Sequence, residues 1–330
     1  MRLRLMGRVL LIGVAASLTL AACGTNSDTS TAGSSSGLEK TNITVGSLVV
    51  PDAAPLHIAI NRGFFKAEGL TVKYQPIQNS PDVVAGLQAG TTDFSLFNYM
   101  TAFAYVEKSP GTLKFVADCF ESAPNTFNIM VPGDSKIKTV QDLKGKTIAI
   151  AGLNSIGELA VTATLKTAGV DPKADDVKYI PVAFPQMPQA LATKQVDAVW
   201  LVEPFISSVQ KDMGARKLID TMTGPMENFP IAGWASSAKF VKDNPKTVAA
   251  FARAMTKAAE IAASDRKAVE QILPTYTKIK ADVASIIAMG HYPTTLNETR
   301  LQRVSDVMQE FGFLTKKGDA KSLIAGQTGT

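Results

Sequence analysis

Two polar residues, Ser155 and Glu158, stand where a short apolar segment gives way to a predicted helix. Their Ser-x-x-Glu spacing is that of a capping box, in which each side chain accepts a hydrogen bond from a free backbone N–H group at the helix start. A helix start that follows a strand and a glycine turn leaves further N–H groups unpaired, and these attract anionic or strongly dipolar ligand groups. The spacing therefore predicts a place where a small ligand could bind.

Ser155 could instead be a nucleophile, as in a serine hydrolase. Such an enzyme needs a base beside the serine and commonly a Gly-x-Ser-x-Gly turn. No histidine lies near Ser155 in the sequence, and Leu153 stands where the first glycine of that turn should be. The sequence therefore favours binding over hydrolysis.

The elements that position Ser155 are a predicted strand and helix within residues 146–169. Ile148 and Ile150 alternate with alanines, which predicts a short strand. Val161 and Leu165 follow at helical spacing, and Gly169 stands where a left-handed helix end is favoured. This strand, turn and helix form one unit of an α/β protein.

A second copy of such a pattern occurs elsewhere in the chain. A helix, a tight turn and a strand opened by aspartate are predicted around Asp93 and again around Asp197, 104 residues later. The predicted strand at Ile43 is matched at nearly the same offset by residues 147–150. Alternating strands and helices predict mainly parallel sheets, and the two copies predict two similar lobes.

Ligands of open α/β sheets bind beyond the carboxyl ends of the strands. Four predicted loops lie at such ends: residues 51–56, 98–100, 153–157 and 202–204. Residues 230–235 predict a strand that runs back between the lobes, and a helix with an apolar stripe through Met255 follows Pro245. We expect Trp200 and this stripe to belong to the core.

Composition excludes several classes of protein. The formal net charge of +5 falls to +2 without Arg2, Arg4 and Arg8, and no basic stripe interleaved with aromatic residues predicts nucleic-acid binding. Only Cys119 follows Cys23, so no internal disulfide is expected between later cysteines. With two histidines and no cysteine pair, the sequence predicts neither a zinc site nor another metal site.

The N-terminus has the pattern of a bacterial lipoprotein signal. A basic start precedes the apolar run Val9–Leu20, whose 12 residues are short of the roughly 20 that span a bilayer. Leu20-Ala21-Ala22-Cys23 resembles the lipobox, after which Cys23 would carry lipid and hold the protein at the membrane; an ordinary secretory cleavage site is the alternative. Eleven of the fourteen residues 24–37 are Ser, Thr or Gly, which predicts a flexible tether.

Several moderately specific segments follow one another in a characteristic order between residues 43 and 262. They are Asn61-Arg62-Gly63-Phe64-Phe65-Lys66, Gly69-Leu70-x-Val72, Ala89-Gly90-x-x-Asp93, Val140-x-Asp142-Leu143-Lys144-Gly145-Lys146, Gln195-Val196-Asp197-Ala198, Glu203-Pro204 and Asn244-Pro245. Together they resemble the solute-binding proteins of ABC importers, in the branch that binds nitrate, sulfonates, taurine and thiamine pyrimidine precursors. The resemblance implies the two-lobed type II periplasmic-binding-protein fold, no catalysis and no cofactor. It also implies delivery of a small molecule to a membrane permease with a cytoplasmic ATPase.

The resemblance also implies ligand contacts. The candidate residues are Asp52, His57, Asn98, Tyr99, Ser122, Asn125, Asn154, Ser155, Gln186, Glu203 and Trp234. Some of these residues could have a structural role instead of contacting a ligand. His57 could be a surface or capping histidine, Tyr99 could pack inward, and Glu203 could simply be part of a loop. Trp234 could stack on a ligand ring, or it could be a core residue that fills the boundary between the two lobes. Binders of this branch often carry Gly-Ser or Gly-Thr where Asn98-Tyr99 stands, so the ligand is left open.

The candidate loops contain carboxylates and one histidine but no lysine or arginine. A helix N-terminus contributes about 0.3–1 kcal/mol, whereas micromolar binding needs about 8 kcal/mol. Enclosure, aromatic packing and several hydrogen bonds must supply the rest. Because a buried unpaired carboxylate is costly, we hypothesise a ligand with an amine or ring N–H: an aminosulfonate such as taurine, or an aminopyrimidine.

We expect a signal peptide at 1–22, a tether at 23–41, lobe I at 42–125 plus about 232–330, and lobe II at 126–231. The hinges would lie near Asn125 and Phe229, and the extracytoplasmic protein would be a monomer. Two alternatives remain: a lipoprotein that presents its ligand to a membrane receptor, and an enzyme of thiamine-pyrimidine synthesis. The cysteine-rich run of the eukaryotic enzymes of that kind is missing from this sequence.

Overall fold

The computed structural model describes residues 37–77 and 80–326. The predicted signal peptide, Cys23 and the tether as far as residue 36 lie outside the described residues. In the described part, helices alternate with strands that form two five-stranded sheets. The predicted α/β class is therefore confirmed.

The strands are β1 (Asn42–Ser47), β2 (Thr71–Pro76), β3 (Phe94–Asn98), β4 (Leu113–Glu121), β5 (Phe127–Val131), β6 (Thr147–Ile150), β7 (Lys178–Pro181), β8 (Ala198–Val202), β9 (Arg216–Asp220) and β10 (Pro230–Ser237). The α-helices are α1 (Ala54–Asn61), α2 (Phe64–Ala67), α3 (Ser80–Ala89), α4 (Tyr99–Lys108), α5 (Ile156–Thr167), α6 (Met187–Ala192), α7 (Phe205–Met213), α8 (Ala238–Asp243), α9 (Pro245–Ser264), α10 (Arg266–Tyr276), α11 (Ala281–Ala284), α12 (Glu298–Glu310) and α13 (Ala320–Leu323). Short 3₁₀ turns lie at Pro51–Ala53, Val140–Leu143, Phe184–Gln186 and Gly224–Met226.

The two sheets share one topology. Their strand orders are β2-β1-β3-β10-β4 and β7-β6-β8-β5-β9. In each sheet the first three strands pair in parallel, and the strand that enters from the other sheet pairs antiparallel with both neighbours. The sheets are mixed rather than mainly parallel, because β5 and β10 arrive from the opposite lobe and run in the reverse direction.

The repeat predicted from the sequence has a structural counterpart. Asp93 stands just before β3, and its carboxylate accepts a hydrogen bond from the Thr44 N–H at 2.8 Å. Asp197 stands just before β8, and its carboxylate accepts one from the Thr147 N–H at 2.9 Å. Each aspartate thus fixes the start of the neighbouring strand, which is the structural role expected for Asp197.

Chain crossings separate the two sheets. β1 to β4 and β10 form the sheet of lobe I, and β5 to β9 form the sheet of lobe II. Residues 122–126 lead from β4 to β5, and residues 221–229 lead from β9 to β10. Because β10 starts at residue 230, it begins slightly before the lobe boundary expected near residue 232.

Helix α9 covers the sheet of lobe I with the predicted apolar stripe. Phe251 is fully buried and stacks on Phe94 with a ring-centroid distance of 3.9 Å. Trp234, on β10, is also fully buried and meets Phe251 edge to face at 6.0 Å. Met255 is buried on the same face of α9, so the predicted core stripe is confirmed.

Gly233 is required by a close approach between β10 and Tyr99. A Cβ atom at this position would lie 2.4 Å from the Tyr99 hydroxyl oxygen and 2.9 Å from the carbonyl oxygen of Ala117. We expect Gly233→Ala to lower the free energy of unfolding by about 1–3 kcal/mol, the usual cost of overpacking. Urea unfolding measures this, with Gly326→Ala as control because a Cβ there meets nothing within 4 Å. Equal stability of the two variants would contradict the prediction.

Candidate functional site

A cavity of about 1130 Å³ lies between the two lobes. Its walls come from the carboxyl ends of the central strands and the loops that follow them, as expected for α/β sheets. Lobe I contributes mainly Leu48, Val50, Asp52, Leu96, Asn98 and Thr101, and lobe II contributes Phe127, residues 151–156, Phe184, Trp200 and Val202. Most of these side chains are apolar, and a few polar groups interrupt them.

Asp52 is the acidic group that lies deepest in the wall. It belongs to the 3₁₀ turn before α1, and only 9% of its surface is exposed. Burial raises the pKa of its carboxyl to about 7, because desolvation of the charged form outweighs the hydrogen bond from its own backbone N–H. Among the described residues of the cavity wall, the basic side chain is Lys108, at the exposed end of α4.

Asn98 reaches the cavity at the end of β3, where it also starts α4. Its side-chain oxygen accepts a hydrogen bond from the Thr101 N–H at 2.8 Å, so it is the N-cap of that helix. Tyr99 turns inward instead: its buried hydroxyl donates to the Asp118 carboxylate at 2.8 Å. Tyr99 is therefore absent from the cavity wall, because its hydroxyl satisfies a buried carboxylate of lobe I.

Asn154 and Ser155 bring the lobe II loop to the cavity, but the predicted capping box is wrong. The Ser155 hydroxyl donates to the Gly152 carbonyl at 2.5 Å, and the Glu158 carboxylate accepts from the Asn154 N–H at 2.6 Å. The left-handed backbone of Asn154, with φ of 51°, turns its N–H toward Glu158 in place of the Ser155 N–H. The Ser155 N-cap itself and the left-handed Gly169 are as predicted.

A hydrogen bond between the lobes lies at the cavity. The Thr101 hydroxyl, on α4, donates to the carbonyl oxygen of Asn154 in lobe II at 3.2 Å. Both residues line the cavity. The bond therefore connects two of the loops that would have to separate for a ligand to enter.

An aromatic floor, formed by Phe127, Trp200 and Phe184, lines the lobe II side. Phe127 and Trp200 stack with centroids 5.2 Å apart, and Phe184 lies 6.1 Å from Trp200. The Trp200 indole N–H donates to the Thr221 hydroxyl at 3.0 Å, which ties this floor to a crossing segment. The sequence predicts that Trp200 belongs to the core; it is 1% exposed, and it also borders the cavity.

The two crossing segments are bonded to each other through Ser122. Its hydroxyl accepts from the Phe229 N–H at 2.7 Å and donates to the Met226 carbonyl at 3.3 Å. Its backbone N–H donates to the Phe229 carbonyl at 2.9 Å. Ser122 is fully buried and does not line the cavity, and Asn125 is an exposed residue with φ of 67° in the same segment.

Ser122→Ala should weaken this connection. The substitution leaves the buried Phe229 N–H without its partner, which costs about 1–3 kcal/mol. We expect the free energy of unfolding to fall by that amount, measured in urea. Ser208→Ala is the control, because the Ser208 hydroxyl bonds Asp212 at an exposed site. The prediction fails if both substitutions cost the same.

The remaining candidates lie off the cavity wall. His57 is stacked on Tyr276 at 3.7 Å, and burial lowers its pKa to about 4, so it is neutral. Both carboxylate oxygens of Glu203 accept from Ser207, one bond from its N–H and one from its hydroxyl. Gln186 is exposed at the end of a 3₁₀ turn, and Trp234 belongs to the core of lobe I.

Sequence reasoning missed the aromatic floor and much of the apolar lining. Phe127 opens a strand and Phe184 opens a short 3₁₀ turn, and both positions look like ordinary core. The rule that the carboxyl ends of strands face the ligand identifies Phe184, which follows β7, but gives no signal for Phe127, which begins β5. In the described residues no cluster of His, Cys, Asp and Glu could hold a metal ion, and no helix could span a membrane.

Comparisons with known proteins place this geometry in a family. A Bacillus subtilis protein provisionally named aliphatic sulfonates-binding protein is 27% identical over 96% of this chain and 92% of its own. A Brachyspira hyodysenteriae protein provisionally named ABC transporter periplasmic binding protein is 25% identical over 74% of this chain and 72% of its own.

A similar fold is found in the crystal structure of the periplasmic aliphatic sulphonate binding protein SsuA from Escherichia coli. It superposes with a TM-score of 0.68 at 18% identity, over 87% of this chain and 98% of that chain. The family model described as NMT1/THI5 like matches residues 50–268. With the two-lobed fold and the cavity between its lobes, this match shows that the chain belongs to the NMT1/THI5-like family.

Proposed function

We propose that this protein is the extracytoplasmic solute-binding component of an ABC importer. It captures one small molecule between its lobes and delivers it unchanged to a membrane permease. The observation that carries this proposal is the cavity of about 1130 Å³ whose walls come from both lobes. The names of the two relatives, one a sulfonate binder and one an ABC transporter component, support it and support a binding protein over an enzyme.

The ligand is a nitrate-, sulfonate- or taurine-type molecule or an amino-heterocycle, and the cavity favours the last. Binding sites for drug-sized molecules measure about 300–1,000 Å³, so a nitrate ion would leave this one mostly unfilled. The floor of Phe127, Trp200 and Phe184 offers faces on which a planar ring can pack. Asp52 offers a buried carboxylate that an amine or ring N–H can satisfy.

The conformational cycle would be an opening and closing about the two crossing segments. A ligand that contacts both walls binds the closed form better and shifts the equilibrium toward it. The Thr101 bond to Asn154 would break on opening. We further propose that the protein acts as a monomer and is held at the membrane by lipid on Cys23, as the Leu-Ala-Ala-Cys pattern suggests.

A thermal-shift screen of the purified mature chain tests the function. The panel contains nitrate, alkanesulfonates, taurine, aminopyrimidines and simple amines, and each hit is titrated by calorimetry. We expect a planar amine-bearing compound to bind at micromolar or better affinity, to be recovered unchanged, and to reduce the radius of gyration in small-angle scattering. Tight binding of nitrate or an unsubstituted alkanesulfonate alone would overturn the ligand class, and chemical turnover of the bound compound would overturn the binding role.

A further inference from the structure

The loop that carries Asp52 is held by three hydrogen bonds from distant parts of the chain. These bonds reach three successive carbonyl oxygens of one short turn, and none of the donors lines the cavity. They join the Tyr276 hydroxyl to Val50 O at 3.1 Å, the Tyr292 hydroxyl to Pro51 O at 3.0 Å, and the Cys119 thiol to Asp52 O at 3.0 Å.

The three donor groups stay protonated. Burial raises the pKa of both tyrosine hydroxyls and of the Cys119 thiol well above their ordinary values, so all three keep their protons. The 3₁₀ turn itself supplies backbone bonds from the Ala53 N–H to Val50 O at 3.1 Å and from the Ala54 N–H to Pro51 O, which close the turn but attach it to nothing outside residues 50–54. The position of the turn therefore depends on side chains that lie as many as 241 positions away in the sequence.

The groups around this support include a cation, because Arg266 interacts electrostatically with Tyr292. His57 stacks on Tyr276 and meets Tyr74 edge to face at 4.7 Å, and burial keeps its imidazole neutral. The titratable and charged groups of this region are Tyr276, Tyr292, Cys119, His57 and Tyr74 behind the turn, with Arg266 beside Tyr292. On the cavity wall they are Asp82, Tyr105, Glu107 and Lys108.

We infer that Tyr276 and Tyr292 are positioning residues, which fix the turn so that the Asp52 carboxyl is held in the cavity wall. The inference rests on the proposed function, because only a binding protein gains from holding this carboxyl in place. A fixed hydrogen-bond acceptor does not have to be ordered when the ligand binds, so binding loses less conformational entropy. Cys119 holds the third carbonyl in the same way. The tyrosines do not touch the ligand and act only through the backbone of residues 50–52.

The experiment measures the titration of Asp52 in the ligand-free mature chain. Tyr276→Phe and Tyr292→Phe are each made with and without Asp52→Asn, and each pair is unfolded in urea across a pH series. For each tyrosine variant, the free energy of unfolding with Asp52 is compared with that of the same variant carrying Asp52→Asn. The pH at which this difference changes is the pH at which Asp52 titrates. We expect each tyrosine variant to lower that pH by about one unit or more, because a loosened turn admits water to the carboxyl.

Tyr99→Phe is the matched control. It removes a buried hydroxyl bond of 2.8 Å in the same lobe, to Asp118 and not to the turn. It should cost comparable stability while leaving the titration of Asp52 unchanged. An unchanged titration in both tyrosine variants would overturn the inference, as would an equal change in Tyr99→Phe. If neither tyrosine variant folds, Cys119→Ala, which removes the third bond, is measured against the same expectation. No ligand is needed, so the outcome is independent of whether an imported compound is found.

Discussion

Asp52→Asn is expected to change the free energy of unfolding of the ligand-free protein in a pH-dependent way. Its effect at about pH 8 should be more stabilising than its effect near pH 4, by as much as about 4 kcal/mol. Burial raises the folded-state pKa of Asp52 from 3.8 to about 7. The unfolded chain therefore binds fewer protons than the folded chain between these values, and stability falls as the pH rises through that window. Each pKa unit corresponds to about 1.4 kcal/mol, and the asparagine variant does not titrate.

Urea unfolding of both proteins across that pH range measures the effect, and all other titrating groups cancel in the difference. The difference should grow from near the ordinary pKa of aspartate up to about pH 7 and then stay constant. Asp142→Asn is the control, because Asp142 is an exposed carboxylate whose pKa is lowered by hydrogen bonds from Lys138 and Thr139. Its difference should stay nearly constant across this range, because a lowered pKa changes stability only near and below the ordinary value of 3.8. A flat difference for Asp52 would show that its carboxyl is not desolvated.

The same titration predicts the pH dependence of ligand binding. A cationic amine pairs only with the ionised carboxylate, so its affinity should fall about tenfold per pH unit below about pH 7 and level off above it. The Asp52→Asn variant should bind the amine weakly and without this dependence. Calorimetry on the first amine identified by the thermal-shift screen provides the measurement, and a pH-independent affinity in the unmodified protein would exclude Asp52 as the amine partner.

Trp200→Ala is expected to cost about 3–5 kcal/mol of unfolding free energy, the usual range for truncating a buried tryptophan. Trp200 stacks on Phe127, donates to Thr221 and is 1% exposed. It also borders the cavity, so the substitution removes part of the surface on which a ligand ring would pack. We therefore expect the affinity for a planar ligand to fall about tenfold or more.

Trp234→Ala separates these two effects. Trp234 is equally buried, but it lies in the core of lobe I and not on the cavity wall. The two variants should lose similar stability in urea, whereas only Trp200→Ala should lose affinity in calorimetry at a temperature where both are folded. Equal affinity in the two variants would mean that the aromatic floor does not contact the ligand.

Much of the architecture was predictable because it depends on local patterns. The alternation around Ile148, the helical stripe through Met255 and the left-handed glycine at 169 each report a backbone state set by neighbouring residues. The spacing of Asp93 and Asp197 predicts two similar lobes, and each aspartate makes the same hydrogen bond at the start of a neighbouring strand. From those elements alone, the strand-end rule brought Asp52, Asn98, Asn154 and Ser155 to one place, and all four line the cavity.

Other features could not be read from local patterns. The Ser155-x-x-Glu158 spacing predicts a capping box, but the left-handed Asn154 redirects both side chains to other partners. A buried aromatic residue such as Phe127 gives the same periodic signal whether a ring, a strand or a ligand cavity lies against it. Periodicity reports that a side chain leaves water, and it does not report which group replaces the water.

By itself, the sequence determined the class of the fold, the two lobes and the strand ends at which a ligand can bind. These follow from short-range periodicity and turn chemistry, which each segment carries with it. Only the tertiary structure decided which side chains form the wall, and how Tyr276 and Tyr292 support the turn at Asp52. Those contacts join residues more than 220 positions apart, and they exist only because the lobes have folded around them.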